Sequence, residues 1–183
     1  MRALHWTDQL LGHVDRSLKT LTGTLPVANS FEYDSRDDAL TSDEQSKSRQ
    51  LMRVNHCGEV CAQGLYHGQM LSARNDSTKA HLEHAAEDEQ KHLVWCQERL
   101  RELNGQTSYL NPFWYGASFM VGAATGLMGD KVSLGFIAAT EEEVCKHLDR
   151  HLAELPEGDH RTREIIAQMQ ADEAGHEQAA LDE

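Results

Sequence analysis

The chain reads as an all-α protein, a helical bundle of six helices in one domain. Three observations predict this. Apolar residues recur at three- and four-residue spacing along most of the 183 residues, no segment alternates as a strand would, and only three prolines interrupt the chain. A chain of this length buries roughly two-thirds of the surface its unfolded form exposes, enough for a real core.

The first helix is predicted from about Ala3 to Leu21, with Leu4, Leu11, Val14, Leu18 and Leu21 as its apolar stripe. Residues 1–22 thus form an N-terminal helix, and residues 23–44 a surface loop with Gly23, Pro26 and the acids Asp34, Asp37 and Asp38. The bundle proper is expected over 45–181. A helix from about Gln45 to Ala73 is ended by Arg74-Asn75-Asp76-Ser77, and another runs from about Thr78 to Leu103, ended by Asn104-Gly105. Asn111-Pro112 opens a fourth that reaches Gly129, a fifth covers Lys131 to Leu155 before Pro156, and Asp159 caps the last, which ends near Leu181.

Seventeen Lys and Arg stand against thirty Asp and Glu, a net charge of −13, which argues against nucleic acid as a partner because phosphate binders cluster basic residues. Cys57, Cys61, Cys96 and Cys145 form no C-x-x-C pair, and the Met1 end has charged and polar residues where a signal peptide needs an apolar core, so reduced thiols are expected. Residues 112–129, PFWYGASFMVGAATGLMG, carry no charge, at the lower limit of a membrane span, but contain four glycines. They are read as a bundle helix with one greasy face, bearing Phe113, Trp114, Tyr115 and Phe119, that either docks in a membrane interface or is buried core.

The chemistry lies in a repeated signature, Asp88-Glu89-x-x-His92 and Asp172-Glu173-x-x-His176. Residues three apart on a helix share a face, so each Glu and His can grip one metal ion together. Two further Glu from the other core helices are needed to complete a carboxylate-rich pair of sites, and Glu59 and Glu141 supply them. Glu59 precedes Glu89 by 30 residues and Glu141 precedes Glu173 by 32, while the offsets between halves are 82 and 84. That register marks an internal duplication. With 17 Glu and 11 His, about one E-x-x-H is expected by chance; three occur, and Glu157-x-x-His160, at a helix start with no upstream partner, is read as the accident.

Carboxylates with two imidazoles suit iron, which changes valence and binds oxygen, better than zinc, whose H-E-x-x-H is absent. Four Glu balance two ferrous ions; without metal, their burial raises their pKa values or destabilises the fold. Each ligand imidazole needs an acceptor for its other N–H, and the near-symmetry of the halves assigns Asp88 to His176 and Asp172 to His92. His147, six residues beyond Glu141, is a further candidate for the surroundings of the metal.

The run Arg53-Val54-Asn55-His56-Cys57-Gly58-Glu59 resembles the R-V-N-H-x-G-E motif of the demethoxyubiquinone hydroxylases, ferritin-like di-iron enzymes of ubiquinone biosynthesis. Gly64-Leu65-Tyr66-x-Gly68-Gln69-Met70, Glu89-Gln90-Lys91-His92, Thr140-Glu141-Glu142 and Asp172-Glu173-x-x-His176 are similar too, so the resemblance covers roughly 47–181. It implies two iron ions held by Glu59, Glu89, His92, Glu141, Glu173 and His176, with Glu89 and Glu173 bridging or chelating. It further implies hydroxylation of a polyprenylated methoxy-methyl benzoquinol by dioxygen, with no catalytic side chains beyond the ligands. A peripheral place on the cytoplasmic face of a bacterial inner membrane is expected, with a lipid-binding accessory protein and a biosynthetic complex as partners. Two positions depart from the family pattern: Cys57 stands where Ala or Thr is usual, and Leu148 where eukaryotic members carry Tyr. The competing expectations are a ferritin-like ferroxidase and a di-iron hydroxylase of a modified tRNA base.

Overall fold

The computed structural model describes residues 6–22 and 30–182, among which all regular structure is helical. The helices are α1 (Trp6–Thr22), α2 (Ser42–Met70), α3 (Asp76–Glu102), α4 (Asn111–Leu127), α5 (Asp130–Glu154) and α6 (His160–Asp182). The expected start of α1 at Ala3 and loop residues 23–29 lie outside the described residues. Helix α2 begins earlier than expected because Thr41 and Glu44 form a capping box, in which each side chain hydrogen-bonds the other's backbone N–H. Its last turn stops at Met70, short of Ala73, and Asp130 at the start of α5 accepts the freed N–H groups of Arg74 and Asn75 at 3.0 and 2.8 Å. Asp159 caps α6, accepting from the Thr162 N–H at 3.1 Å.

Helices α2 and α3 pack as one pair, α5 and α6 as another, and the pairs meet along α3 and α6. Their core has two apolar ends. One gathers Met52, Cys96, Leu100, Leu148, Leu155, Ile166 and Met169, and the other Tyr66, Leu82, Leu134, Ile137 and Ala180. Every core helix crosses from one end to the other, and the inward positions fall seven apart: Met52, Glu59, Tyr66; Leu82, Glu89, Cys96, Leu103; Leu134, Glu141, Leu148, Leu155; Ile166, Glu173, Ala180. The heptad stripe that builds a helical bundle is intact, with one glutamate in the middle of each stripe.

Helix α4 lies against α2 so closely that the backbones touch. A Cβ on Gly68 would overlap the Phe119 carbonyl oxygen, and one on Gly122 would overlap that of Leu65. The spacings Gly64-x-x-x-Gly68 and Gly122-x-x-x-Gly126 put small residues on the facing sides of both helices. The glycines of the uncharged segment therefore serve packing. No helix among the described residues is long and apolar enough to cross a membrane.

Residues 30–41 have no helix or strand and lie at the surface, with one side laid on the core. Phe31, Tyr33 and Leu40 pack on the core beside Trp95, and Asp38 donates its N–H to the Gly158 carbonyl at 3.0 Å. Arg99, buried on α3, fastens the segment: its guanidinium reaches Asp37 and Asp159 at 2.7 Å each, Glu102 at 2.6 Å and the Thr162 hydroxyl at 2.9 Å. Asp37 in turn accepts the Arg161 N–H at 2.9 Å. Replacing Arg99 with Met strands the buried Asp159 carboxylate. Chemical denaturation should show a loss of about 3–5 kcal/mol, the usual cost of removing one partner of a buried ion pair.

Candidate metal centre

The four central glutamates converge. Glu59 (α2), Glu89 (α3), Glu141 (α5) and Glu173 (α6) are each at most 4% exposed, and His92 and His176 join them. The ligand atoms of Glu59, Glu89, His92 and Glu173 all lie within 4.8 Å of one another. Around His92 Nδ1 stand Glu173 Oε1 at 3.3 Å and the Oε2 atoms of Glu59 and Glu89 at 3.7 Å. Around His176 Nδ1 stand the opposite oxygens, Glu173 Oε2 at 3.2 Å and Glu89 Oε1 at 3.6 Å. Glu89 and Glu173 thus each present one oxygen to each imidazole, the arrangement of a bridging carboxylate. Glu141 stands outside the tight quartet and accepts a hydrogen bond on Oε1 from the hydroxyl of the fully buried Tyr66.

The outward nitrogens of the two rings are spoken for. His92 Nε2 lies 3.0 Å from Asp172, and His176 Nε2 lies 3.2 Å from Asp88, each aspartate reaching across from the opposite pair. This holds both Nδ1 atoms toward the carboxylates. Asp88 is also tied to Lys91 at 2.5 Å and faces the exposed His84 at 3.1 Å.

Protons substitute for missing positive charge here. Burial, and then the neighbouring Glu59, push the Glu89 carboxyl up to about 7. Burial with Glu173 and Glu89 holds Glu141 well above the usual carboxylate range. Burial works against charging the imidazoles, but their carboxylate partners outweigh it, lifting His176 to about 9 and His92 well above its ordinary value. Glu59 Oε2, both Glu89 oxygens and His92 Nδ1 are buried without a hydrogen-bond partner. Orphaned oxygens and an orphaned ring nitrogen aimed at one point are what a metal ion relieves.

Above the carboxylates opens a cavity of about 440 Å³ between α2, α4 and α5. All four glutamates border it, and Leu65, Trp114, Val121, Phe136, Val144 and Leu148 make it predominantly apolar. Trp114 and Phe136 are also partly exposed, so the cavity adjoins an outer face bearing Phe113, Met120, Leu127 and Met128.

Two residues expected on the greasy face turn out differently. Tyr115 is buried, its hydroxyl 2.8 Å from both His67 Nδ1 and Ser17 Oγ. Phe119 stacks on it at 6.3 Å and packs against Val60 and Leu93. The reason is helical phase: Gly122 and Gly126 pin that side of α4 to α2. His147 lines the cavity that the four glutamates border and packs on His151, ring centroids 3.9 Å apart. Glu157 and His160 stay at the α5–α6 turn, where the exposed His160 faces Asp38 at 3.5 Å. In the sequence Tyr66 stands out only as part of a motif; its seven-residue distance from Glu59 is the signal that places both on one face of α2.

A four-helix core with a duplicated carboxylate–histidine centre defines the ferritin-like class of metal-binding bundles. Within that class the chain belongs to the ubiquinone biosynthesis protein COQ7 family, whose family model matches residues 46–183. It is 49% identical over 183 residues to a 3-demethoxyubiquinol 3-hydroxylase of Chromohalobacter salexigens, covering 99% of this chain and 86% of that protein. A protein of the same name from Pseudomonas fluorescens is 49% identical over 177 residues (96% and 82% covered), and one from Burkholderia multivorans 49% over 179 (96% and 85%).

The proton-binding groups predict a pH dependence for the metal-free chain. His176 at about 9 holds its proton more tightly folded than unfolded, so its stabilisation is complete below 6.5 and lost as the pH rises through 9. Glu89 has the same sign between 4.5 and 7, since the unfolded carboxyl ionises while the buried one resists. His56 and His151, pushed down to about 4 by burial, act oppositely but only below 6.5. The Tm of chelator-treated protein should therefore fall steadily from pH 6.5 to 9, and fall less in metal-loaded protein.

Proposed function

We propose that this chain is a di-iron monooxygenase that hydroxylates the ring of a polyprenylated methoxy-methyl benzoquinol, demethoxyubiquinol, with dioxygen. The observation that carries the reading is the position of orphaned, buried carboxylate oxygens at the floor of an apolar cavity, in a member of this family. The names of the relatives supply the substrate class.

The donor set fits iron: Glu59, Glu89, His92, Glu141, Glu173 and His176 would hold two ions. Bound there, two ferrous ions would supply the two electrons that, with two protons, put one atom of dioxygen into the ring and the other into water, and an external reductant would restore them for the next turnover. The remaining work belongs to side chains. Asp88 and Asp172 keep the two imidazoles aimed inward through their Nε2 protons. Trp114, Phe136, Val144 and Leu148 receive the apolar ring and exclude bulk water from the reacting face. Phe113, Trp114, Met120 and Met128 form the outer face through which the isoprenoid tail reaches the cavity, with the protein lying peripherally on the membrane. A lipid-binding accessory protein that lifts the quinol from the bilayer is part of the same reading.

The test is anaerobic loading with ferrous iron, addition of demethoxyubiquinol in detergent, admission of isotopically labelled dioxygen, and mass analysis. One labelled oxygen in the quinone ring is expected. Oxidised iron with untouched quinol, in the presence of a competent reductant, would instead favour a ferroxidase. Glu173→Ala should abolish turnover and lower bound iron below two per chain, whereas Glu157→Ala and His160→Ala should do neither. Asp88→Ala should retain most of its iron yet lose activity about 10–100-fold, the usual cost of removing the partner that orients a ligand imidazole. Changing Phe113 and Trp114 together to Ser should weaken sedimentation with anionic liposomes; unchanged binding would argue against the membrane face.

A further inference from the structure

The two halves of the ligand set repeat each other, but the groups behind them do not. Tyr66 follows Glu59 by seven residues on α2, and the position that follows Glu141 by seven on α5 is Leu148. Both are core positions, 0% and 1% exposed. By the duplication, the residue behind each single-ligand glutamate faces the glutamate of the other half. In one direction this is realised: the Tyr66 hydroxyl donates to Glu141 Oε1. In the other direction Leu148 has no donor to offer, and it shares the cavity wall with Glu59, whose Oε2 is buried with no hydrogen-bond partner.

We propose that Tyr66 is a positioning residue that makes the two metal positions inequivalent, by clamping Glu141 while Glu59 is left unclamped opposite Leu148. The inference rests on the metal-centre reading above. A phenol hydrogen bond occupies one lone pair of the Glu141 carboxylate and stops its rotation. Glu59 has no such restraint on Oε2, although its ligand atom already lies within 4.8 Å of those of Glu89, His92 and Glu173. The metal position served by Glu141 therefore has a hydrogen-bonded carboxylate and the position served by Glu59 an unclamped one, so the two would differ in affinity and in spectrum.

The experiment uses the full metal-free chain and Co²⁺ as the probe, titrated anaerobically by calorimetry with the visible Co²⁺ absorption followed in parallel. The unaltered chain should bind two Co²⁺ in two resolved steps with different spectra. Tyr66→Phe removes one oxygen atom and keeps the ring that packs among Leu82, Ile137 and Ala138. It should weaken one step alone, by about 10–100-fold, and change only that step's spectrum. Leu148→Tyr, which has the adjoining cavity for its extra bulk, should alter the other step alone. Two equal steps in the unaltered chain, or a Tyr66→Phe variant that leaves both steps unchanged or lowers both alike, would overturn the proposal. Binding of fewer than two Co²⁺ by the unaltered chain would instead overturn the di-metal reading on which it stands.

Discussion

Four carboxylates cannot share a dry interior unless positive charge meets them, and this constraint organises the molecule. Glu59, Glu89, Glu141 and Glu173 occupy the central place in four heptad stripes, where a bundle of this kind would otherwise put Leu or Ile. Each is flanked one heptad away by apolar or aromatic core residues, so the ends of the bundle supply the burial energy that the middle spends. Two imidazoles, kept in orientation by Asp88 and Asp172, and the phenol of Tyr66 begin the compensation. Metal ions complete it. Stability, metal loading and chemistry are therefore one electrostatic problem.

The side of the centre that faces the cavity is set by α4. Bundles of four helices close around their core, and access needs a wall that is not a core helix. Here α4 rests on α2 through the Gly64–Gly68 and Gly122–Gly126 contacts, leaving Trp114 and Val121 to line one side of the cavity with Phe136 and Val144 of α5 on the other. The same close approach turns Phe119 inward and leaves Phe113, Met120 and Met128 outside. One helix thus separates the carboxylates from solvent on its inner side and offers an apolar surface on its outer side.

The far end of the bundle is tied by charge. Arg99 joins α3 to α6 and to the segment before α2 through Asp159, Thr162 and Asp37, and Asp159 also caps α6. One aspartate of an acidic run that reads as solvated loop, Asp37, becomes in the fold an acceptor for a buried guanidinium. Single-sequence reasoning had no access to this, because Arg99 lies 62 residues from Asp37 and 60 from Asp159.

What the sequence determined by itself is what helical periodicity encodes. The six helices, the duplicated Glu and Glu-x-x-His register, and the cross-pairing of Asp88 with His176 and Asp172 with His92 all follow from i, i+3 spacing and an offset of 82 to 84 residues. Periodicity is a local property, and a duplication extends it to a pair of elements. The tertiary structure alone decided everything that depends on which helix faces which. It turned Phe119 toward α2, put His147 on the cavity wall, and assigned the Tyr66 hydroxyl to Glu141. These outcomes turn on helix phase and interhelical distance, quantities set by packing across the bundle rather than by spacing along one chain.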